Sequence, residues 1–354
     1  MKIYLVTGGA GFIGSNFIIY MLNKYNEEQI KIINLDKLTY AGSLENLKCV
    51  ENKNNYMFIK GDISDKNLVD NVFKQYDIDY IINFAAESHV DRSIQEPQIF
   101  VETNVLGTVN LLNTAKKYWI FNDVFREGKK YLQVSTDEVY GSLGKSGYFT
   151  EDTPLDPHSP YSASKASADL IVRSYYDTYK MPINITRCSN NYGPYQFPEK
   201  LIPLIINNYL NNKPIPIYGD GKNIRDWLYV EEHCRAIDMI IQNGRMGEIY
   251  NIGGYNEREN VYIIKYIIEV LNKITRNNKR PNKLIKYVKD RKGHDKRYAI
   301  DPSKIENKIK WESQISFEDG ILKTVNWYLN NKQWLNKVTS EEYQRYYENM
   351  YKGK

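Results

Sequence analysis

Short apolar runs alternate with longer stretches of helical periodicity through the first half of the chain. The runs predict strands at Ile3–Thr7, Lys31–Leu35, Tyr56–Lys60, Tyr80–Phe84, Tyr131–Ser135 and Ile183–Arg187. The stretches between them predict helices near Gly14–Tyr25, Leu68–Tyr76, Thr103–Tyr118 and Ser162–Tyr179. Strands alternating with helices imply an α/β chain, a doubly wound parallel sheet covered on both faces. After about Asn190 the pattern breaks. Pro194, Pro198, Pro203, Pro214 and Pro216 punctuate what reads as loops and short strands, the start of a smaller α/β lobe. Gly247–Gly254 reads as a late strand rejoining the first sheet. The expected division is therefore interleaved: residues 1–190 with a return near 226–255 form the larger domain, and residues 191–225 and 256–354 form the lobe.

The first strand runs into Thr7-Gly8-Gly9-Ala10-Gly11-Phe12-Ile13-Gly14. Glycines at this spacing, between a strand and a helix, allow a tight turn and close approach of a pyrophosphate. The helix start offers it free N–H groups and a positive dipole end. Asp36 ends the second strand, where a carboxylate can accept both ribose hydroxyls and repels a 2′-phosphate. A Rossmann-type domain that prefers NAD to NADP is expected.

Tyr161 and Lys165 stand four residues apart, on one face of a helix. An ammonium beside a phenol favours the phenolate, which can take a proton from a sugar hydroxyl while hydride leaves the same carbon. The spacing alone says little in a chain with 31 tyrosines; it recurs at Tyr20/Lys24 and Tyr176/Lys180. Position after the fifth expected strand, at the start of a helix rich in Ser and Ala, singles out Tyr161. At the carboxyl end of that strand stand Thr136, Asp137 and Glu138. A Thr suits hydride transfer, but two carboxylates exceed its needs. Elimination of water does need two more groups, a base for the proton beside a ketone and an acid for the departing hydroxyl. Asn83–Asp91 follows the fourth strand, and Glu87, His89 and Asp91 there are candidates, with orientation of loops and cofactor favoured for the last two. Asn104 is expected to support an active-site water or Lys165.

Composition narrows the setting. The net charge of +5, from 48 basic and 43 acidic residues, is interspersed without basic stripes. It suits a diphosphate substrate and argues against nucleic acid. Cys49, Cys188 and Cys234 have no metal-type spacing, so no metal is expected and a reducing compartment is. With no cleavable leader and no long apolar span, the expected location is cytoplasmic, away from membranes.

Together these motifs resemble the dTDP-glucose 4,6-dehydratases of the extended short-chain dehydrogenase family. The resemblance runs over nearly the whole chain; Asp36–Gly42 and the Thr136-Asp137-Glu138 triplet carry most of it. It implies NAD as cofactor, a nucleotide-sugar substrate and a homodimer built on helices of the larger domain. For the cofactor it implies Gly8, Gly11, Phe12, Ile13, Gly14, Asp36, Lys37, Leu38 and Thr39, then Asp62, Ile63, Phe84, Ala85, Ala86 and Thr103, with Tyr161, Lys165 and Asn190 at the reacting end. For the substrate it implies Ser88, Glu138, Asn190, Asn191, Lys200 and Leu201. Pro216 and Tyr218 would lie at the base, and Arg225, Asn260, Asp290 and His294 would complete the site. Catalysis would fall to Thr136, Asp137 (acid), Glu138 (base), Tyr161 and Lys165. Lys292 departs from the family, standing where proline is more usual. UDP-glucose as substrate and a 4-epimerase are the alternatives within the fold; a non-catalytic NAD sensor is disfavoured because Tyr161 and Lys165 are both present.

Overall fold

The computed structural model describes residues 1–339; most of the charged, Tyr-rich tail beyond Trp334 lies outside them. The strands of the first half are β1 (Lys2–Thr7), β2 (Ile30–Asp36), β3 (Tyr56–Lys60) and β4 (Tyr80–Asn83), then the small hairpin β5 (Ile120–Phe121) and β6 (Val124–Phe125), then β7 (Lys130–Thr136) and β8 (Ile183–Cys188). They are followed by β9 (Asn190–Tyr192), β10 (Ile215–Tyr218), β11 (Ile224–Tyr229), β12 (Ile249–Ile252), β13 (Glu257–Glu259) and β14 (Ile285–Val288). Seven of these form one sheet in the order β12-β8-β7-β4-β1-β2-β3, with every pair parallel. The winding reverses between β1 and β4, which opens a crevice beyond the carboxyl ends of the strands.

Alternation along the strands divides the core between two faces. Tyr4 and Val6 of β1 and Ile32 of β2 pack with Phe17, Ile18, Ile237 and Trp311 on one side. Leu5 and Ile33 pack with Leu111, Trp119 and Val172 on the other. Each fully buried aliphatic side chain contributes about 1.5–3 kcal/mol relative to exposure. The strand expected at Gly247–Gly254 is β12, which joins the sheet edge beside β8.

The second half is the α/β lobe expected, with helices where its prolines suggested loops and short strands. It carries the helices Leu201–Leu210, Val230–Asn243, Asn260–Thr275 and Phe317–Asn330. Pro203 suggested a break, but it occupies the third position of its helix, where a missing N–H costs no helical bond. Ile205, Ile263, Ile267, Phe317 and Ile321 from these helices build a separate core for the lobe. The expected helix Thr103–Tyr118 is a π-helical turn, Val101–Gly107, followed by the α-helix Thr108–Trp119. No helix among the described residues is long and apolar enough to cross a membrane.

Candidate active site

The glycine loop meets the demands of a phosphate cradle. Gly8 has φ +67°, and a Cβ there would lie 2.6 Å from the Ala85 amide nitrogen. On Gly14 a Cβ would lie 2.4 Å from the Gly8 carbonyl oxygen. Gly11 is different: its Cβ would meet only that carbonyl, at 3.3 Å. Glycine there leaves the cleft clear in front of the helix Phe12–Lys24, which has no side-chain cap and no acidic residue in its first turn. These residues fit a dinucleotide pyrophosphate.

Asp36 is buried. Its Oδ2 accepts from the Ala10 amide at 2.9 Å and its Oδ1 from the Leu38 amide at 2.7 Å. Burial raises its pKa, and the two amides pull it back. The carboxylate is thereby fixed at the end of β2 with lone pairs left over. A cleft of about 310 Å³ brings together Gly8, Gly11, Phe12, Ile13, Gly14, Asp36, Lys37, Thr39, Asp62, Ile63, Phe84, Ala85, Ala86 and Thr103. Of the expected cofactor contacts only Leu38 does not line it; Leu38 instead turns the chain at φ +57°. Lys37 is paired with Asp62 at 2.7 Å.

The same cleft reaches Thr136, Asp137, Glu138, Tyr161, Lys165, Asn190, Asn191, Ser88 and Lys200. Thr136 ends β7 and caps the short 3₁₀ turn Asp137–Tyr140 by accepting from the Glu138 amide at 3.3 Å. Both carboxylates are thus held at the carboxyl end of β7, inside the sheet. Asp137 is 1% exposed, and its Oδ2 has no hydrogen-bond partner. Burial, with the charges of Glu138 and Asp226, holds its carboxyl well above the usual carboxylate range. Burial also raises Glu138, but Arg291, Arg225 and Lys200 oppose it there. At Asp137 like charges add to the effect of burial, whereas at Glu138 cations offset part of it. Tyr161 opens the helix Pro160–Tyr179, whose start is fixed by a reciprocal Ser159–Ser162 capping box.

The expectation that Lys165 lowers the Tyr161 pKa fails in this structure. Burial and the charges of Glu138, Cys188 and Asp137 push the phenol up. Lys165 donates to the Val134 carbonyl at 2.7 Å, and burial lowers its own pKa. Asn104, expected to support an active-site water or Lys165, has Glu87 and Ser164 as its protein partners. Its side chain accepts from the Glu87 amide at 2.8 Å and donates to the Glu87 carbonyl and to Ser164. It ties the loop after β4 to the Tyr161 helix, and the π turn that carries it supplies the extra residue that a regular helix lacks.

The remaining expected substrate residues gather beside the cleft instead of lining it. His294 Nδ1 lies 2.6 Å from Asp290 Oδ1, and its ring packs edge-on against Tyr218 with centroids 6.1 Å apart. Arg225 is buried over the Tyr298 ring and donates to the carbonyls of Ile224 at 2.7 Å and Asp295 at 2.9 Å. Pro216 is a β10 residue paired with Lys286 of β14. Asn260 begins its helix with its side-chain oxygen buried and without a hydrogen-bond partner. Leu201 packs against the lobe core. His89 Nε2 lies 3.8 Å from Glu199, and Asp91 lies 3.5 Å from the Tyr218 hydroxyl. Sequence reasoning missed Cys188, Gln196, Phe197 and Glu199, which also line the cleft. Only the adjacency of Glu199 to Lys200 pointed to any of them.

Fold and cleft together define a dinucleotide-dependent enzyme of the extended short-chain dehydrogenase type, with acid–base groups beyond those of simple hydride transfer. A family model described as GDP-mannose 4,6 dehydratase matches residues 5–324. The chain is 49% identical over 346 residues to the dTDP-glucose 4,6-dehydratase of Xanthomonas campestris pv. campestris strain B100, covering 97% of each. Among solved structures it is similar to the dTDP-glucose 4,6-dehydratase of Bacillus anthracis in complex with NAD, at 51% identity and TM-score 0.84, covering 96% of this chain and 100% of that one. The Streptomyces venezuelae dTDP-glucose 4,6-dehydratase with NAD and TYD bound matches at 44% identity and TM-score 0.87, covering 95% and 100%. The chain belongs to the nucleotide-sugar 4,6-dehydratase family.

Proposed function

We propose that this protein converts dTDP-glucose to dTDP-4-dehydro-6-deoxy-glucose with NAD retained throughout. The observation that carries the dehydratase chemistry is the pair of carboxyl groups that line one cleft with Tyr161 and Lys165, Asp137 buried with its Oδ2 unpartnered and Glu138 only partly buried. Bound NAD supplies a hydride acceptor for C4 of the sugar and a hydride donor for C6. Tyr161 takes the proton of the 4-hydroxyl as its phenolate, a form that the positive charge of bound NAD and of Lys165 would favour against the burial that raises the phenol, with Thr136 assisting. The C4 ketone acidifies the proton on C5. Glu138 removes that proton, Asp137 protonates the C6 hydroxyl, and water leaves. C5 is reprotonated as C6 is reduced.

The expected cofactor contacts hold the dinucleotide, with Gly8–Gly14 at the pyrophosphate and Asp36 at the adenosine ribose. Ser88, Asn190, Asn191 and Lys200 face the sugar. The cluster around Arg225, Asn260, Asp290 and His294 receives the diphosphate end, where the charge of Arg225 suits phosphate. Pro216 and Tyr218 flank the base.

The protein acts in the cytoplasm as a homodimer. Val101 and Leu106, 48% and 55% exposed, and Leu170, 61% exposed, offer apolar surface on packed helices of the larger domain. Sedimentation of the protein and of Leu170→Glu checks the dimer. The substrate is checked by incubation with dTDP-, UDP- and CDP-glucose and mass detection of the loss of water. Turnover of dTDP-glucose well ahead of the others is expected; preference for UDP-glucose would reassign the base.

A further inference from the structure

The segment after β2 crosses the cleft as a strap. Asp36, Lys37, Thr39, Ala41 and Gly42 all line the space assigned to the dinucleotide. Both feet are fixed. Leu38 donates to Asp36 at 2.7 Å, and beyond the strap the Ser43 amide donates to the Ala10 carbonyl at 3.0 Å. Tyr40, at the apex, is joined to two other segments. The Arg92 guanidinium lies over its ring, 3.5 Å from the centroid, and Arg92 belongs to the helix Val90–Gln95 beyond β4. Phe197 meets the ring edge-on at 5.7 Å, and the hydroxyl donates to Glu199 Oε1 at 3.0 Å. Phe197 and Glu199 precede the helix Leu201–Leu210, on the substrate side of the cleft. Glu199 is itself buried, with His89 Nε2 at 3.8 Å from its other oxygen. The strap therefore cannot lift without breaking a bond to a buried carboxylate and unstacking a guanidinium.

We propose that Tyr40, Arg92 and Glu199 form a clasp that keeps this strap closed and sets how long the dinucleotide stays bound. The inference rests on the NAD-dependent reading above and deepens it. A dehydrogenase that exchanges its cofactor at every turnover needs the strap to open. An enzyme that oxidises and then reduces the same sugar loses the intermediate whenever reduced cofactor leaves between the two transfers. Tyr40, Arg92 and Glu199 are positioning residues in this scheme, acting through the strap.

The test is the rate at which labelled NAD leaves the purified holoenzyme in the presence of excess unlabelled NAD. Tyr40→Phe keeps the ring and removes the hydroxyl; its release should be about tenfold faster, as expected for loss of a buried hydrogen bond that leaves the Glu199 oxygen without its donor. Glu199→Leu removes the acceptor from the other side and should accelerate release similarly. Glu199→Gln keeps an acceptor oxygen and should restore slow release. The thermal midpoint of each NAD-saturated variant separates clasp loss from unfolding, because a general loss of structure would move Glu199→Gln as well. Release at the parent rate from both Tyr40→Phe and Glu199→Leu overturns the clasp. A parent that retains no NAD, or turns over without it, overturns the underlying reading instead.

Discussion

Replacing Asp137 with Asn separates proton donation from packing, because burial and the neighbouring Glu138 and Asp226 push this carboxyl toward its uncharged form. Its side chain is 1% exposed, its Oδ1 receives the Thr136 hydroxyl at 3.3 Å, and its Oδ2 has no hydrogen-bond partner. No ion pair is lost in Asp137→Asn. The structural cost is confined to the new amide N–H donors, about 1–3 kcal/mol if they stay unpaired. Against a typical domain stability of about 5–15 kcal/mol, the variant folds. Its pH dependence changes with a definite sign. A carboxyl whose pKa is raised by folding binds more protons in the native state than in the unfolded one. Stability therefore falls as pH rises from the unfolded value, 3.8, through the raised folded value. Asp137→Asn removes that decline, so the gap between variant and parent narrows toward neutral pH.

The catalytic cost is of another kind. A positioned general acid contributes about 10²–10⁴ in rate, or about 2.7–5.4 kcal/mol of barrier at 1.36 kcal/mol per tenfold. Oxidation at C4 uses Tyr161 and Lys165, so it should survive. Mixed with dTDP-glucose, Asp137→Asn should build up the near-ultraviolet absorbance of reduced nicotinamide while releasing 4-keto-6-deoxy product at least a hundredfold more slowly than the parent. Glu138→Gln should behave alike, and Tyr161→Phe should fail before any absorbance appears. The ordering of steps is the test, since clustered catalytic groups are not additive. Dehydration at the parent rate by both carboxylate variants would refute the division of roles and leave an epimerase-like reading.

Substrate deuterated at C4 should yield product with deuterium at C6, read by mass spectrometry; loss of the label to added NAD would break the closed cycle. Asp36 should make NAD bind at least tenfold tighter than NADP to stripped enzyme, since a 2′-phosphate meets a fixed carboxylate; equal affinities in a titration would contradict it. Asp169 counters the burial of Lys165 and is itself paired with buried Arg187 at 2.9 Å. Asp169→Asn should lower the Lys165 pKa further and shift the pH profile of kcat/KM. It should also cost about 3–5 kcal/mol in unfolding titrations through the stranded guanidinium; an unmoved profile would show that Asp169 serves packing alone.

The larger domain was legible because its signals are local. Each sheet strand is an apolar run bounded by a turn, and all six expected in the first half stand within one or two residues of their predicted ends. The lobe was less so. Its prolines read as breaks, yet Pro203 sits inside a helix start and Pro216 on a strand, positions that a one-dimensional pattern cannot distinguish from loop. The π turn at Val101–Gly107 was also hidden, because one extra residue in a turn leaves the apolar period nearly unchanged.

At the site, residue identity was legible and environment was not. Tyr161, Lys165, Asp137 and Glu138 were placed by motif, but their charge states depend on groups far away in sequence. Arg225 and Arg291 face Glu138 from the second lobe, and Asp226 acts on Asp137 from β11. The expectation of a lowered Tyr161 pKa considered only the lysine one turn along. It omitted two carboxylates some twenty residues earlier and the burial that magnifies their effect. Tyr20 and Lys24 make the contrast. They have the same spacing and a hydrogen bond of 3.2 Å, but Lys24 is exposed and also pairs with Asp238, so their contact ties surface helices together. The spacing fixes which side chains can meet. The fold around them fixes what the meeting does, and here burial and like charge raise Asp137 while Arg291 and Arg225 oppose the same rise at Glu138.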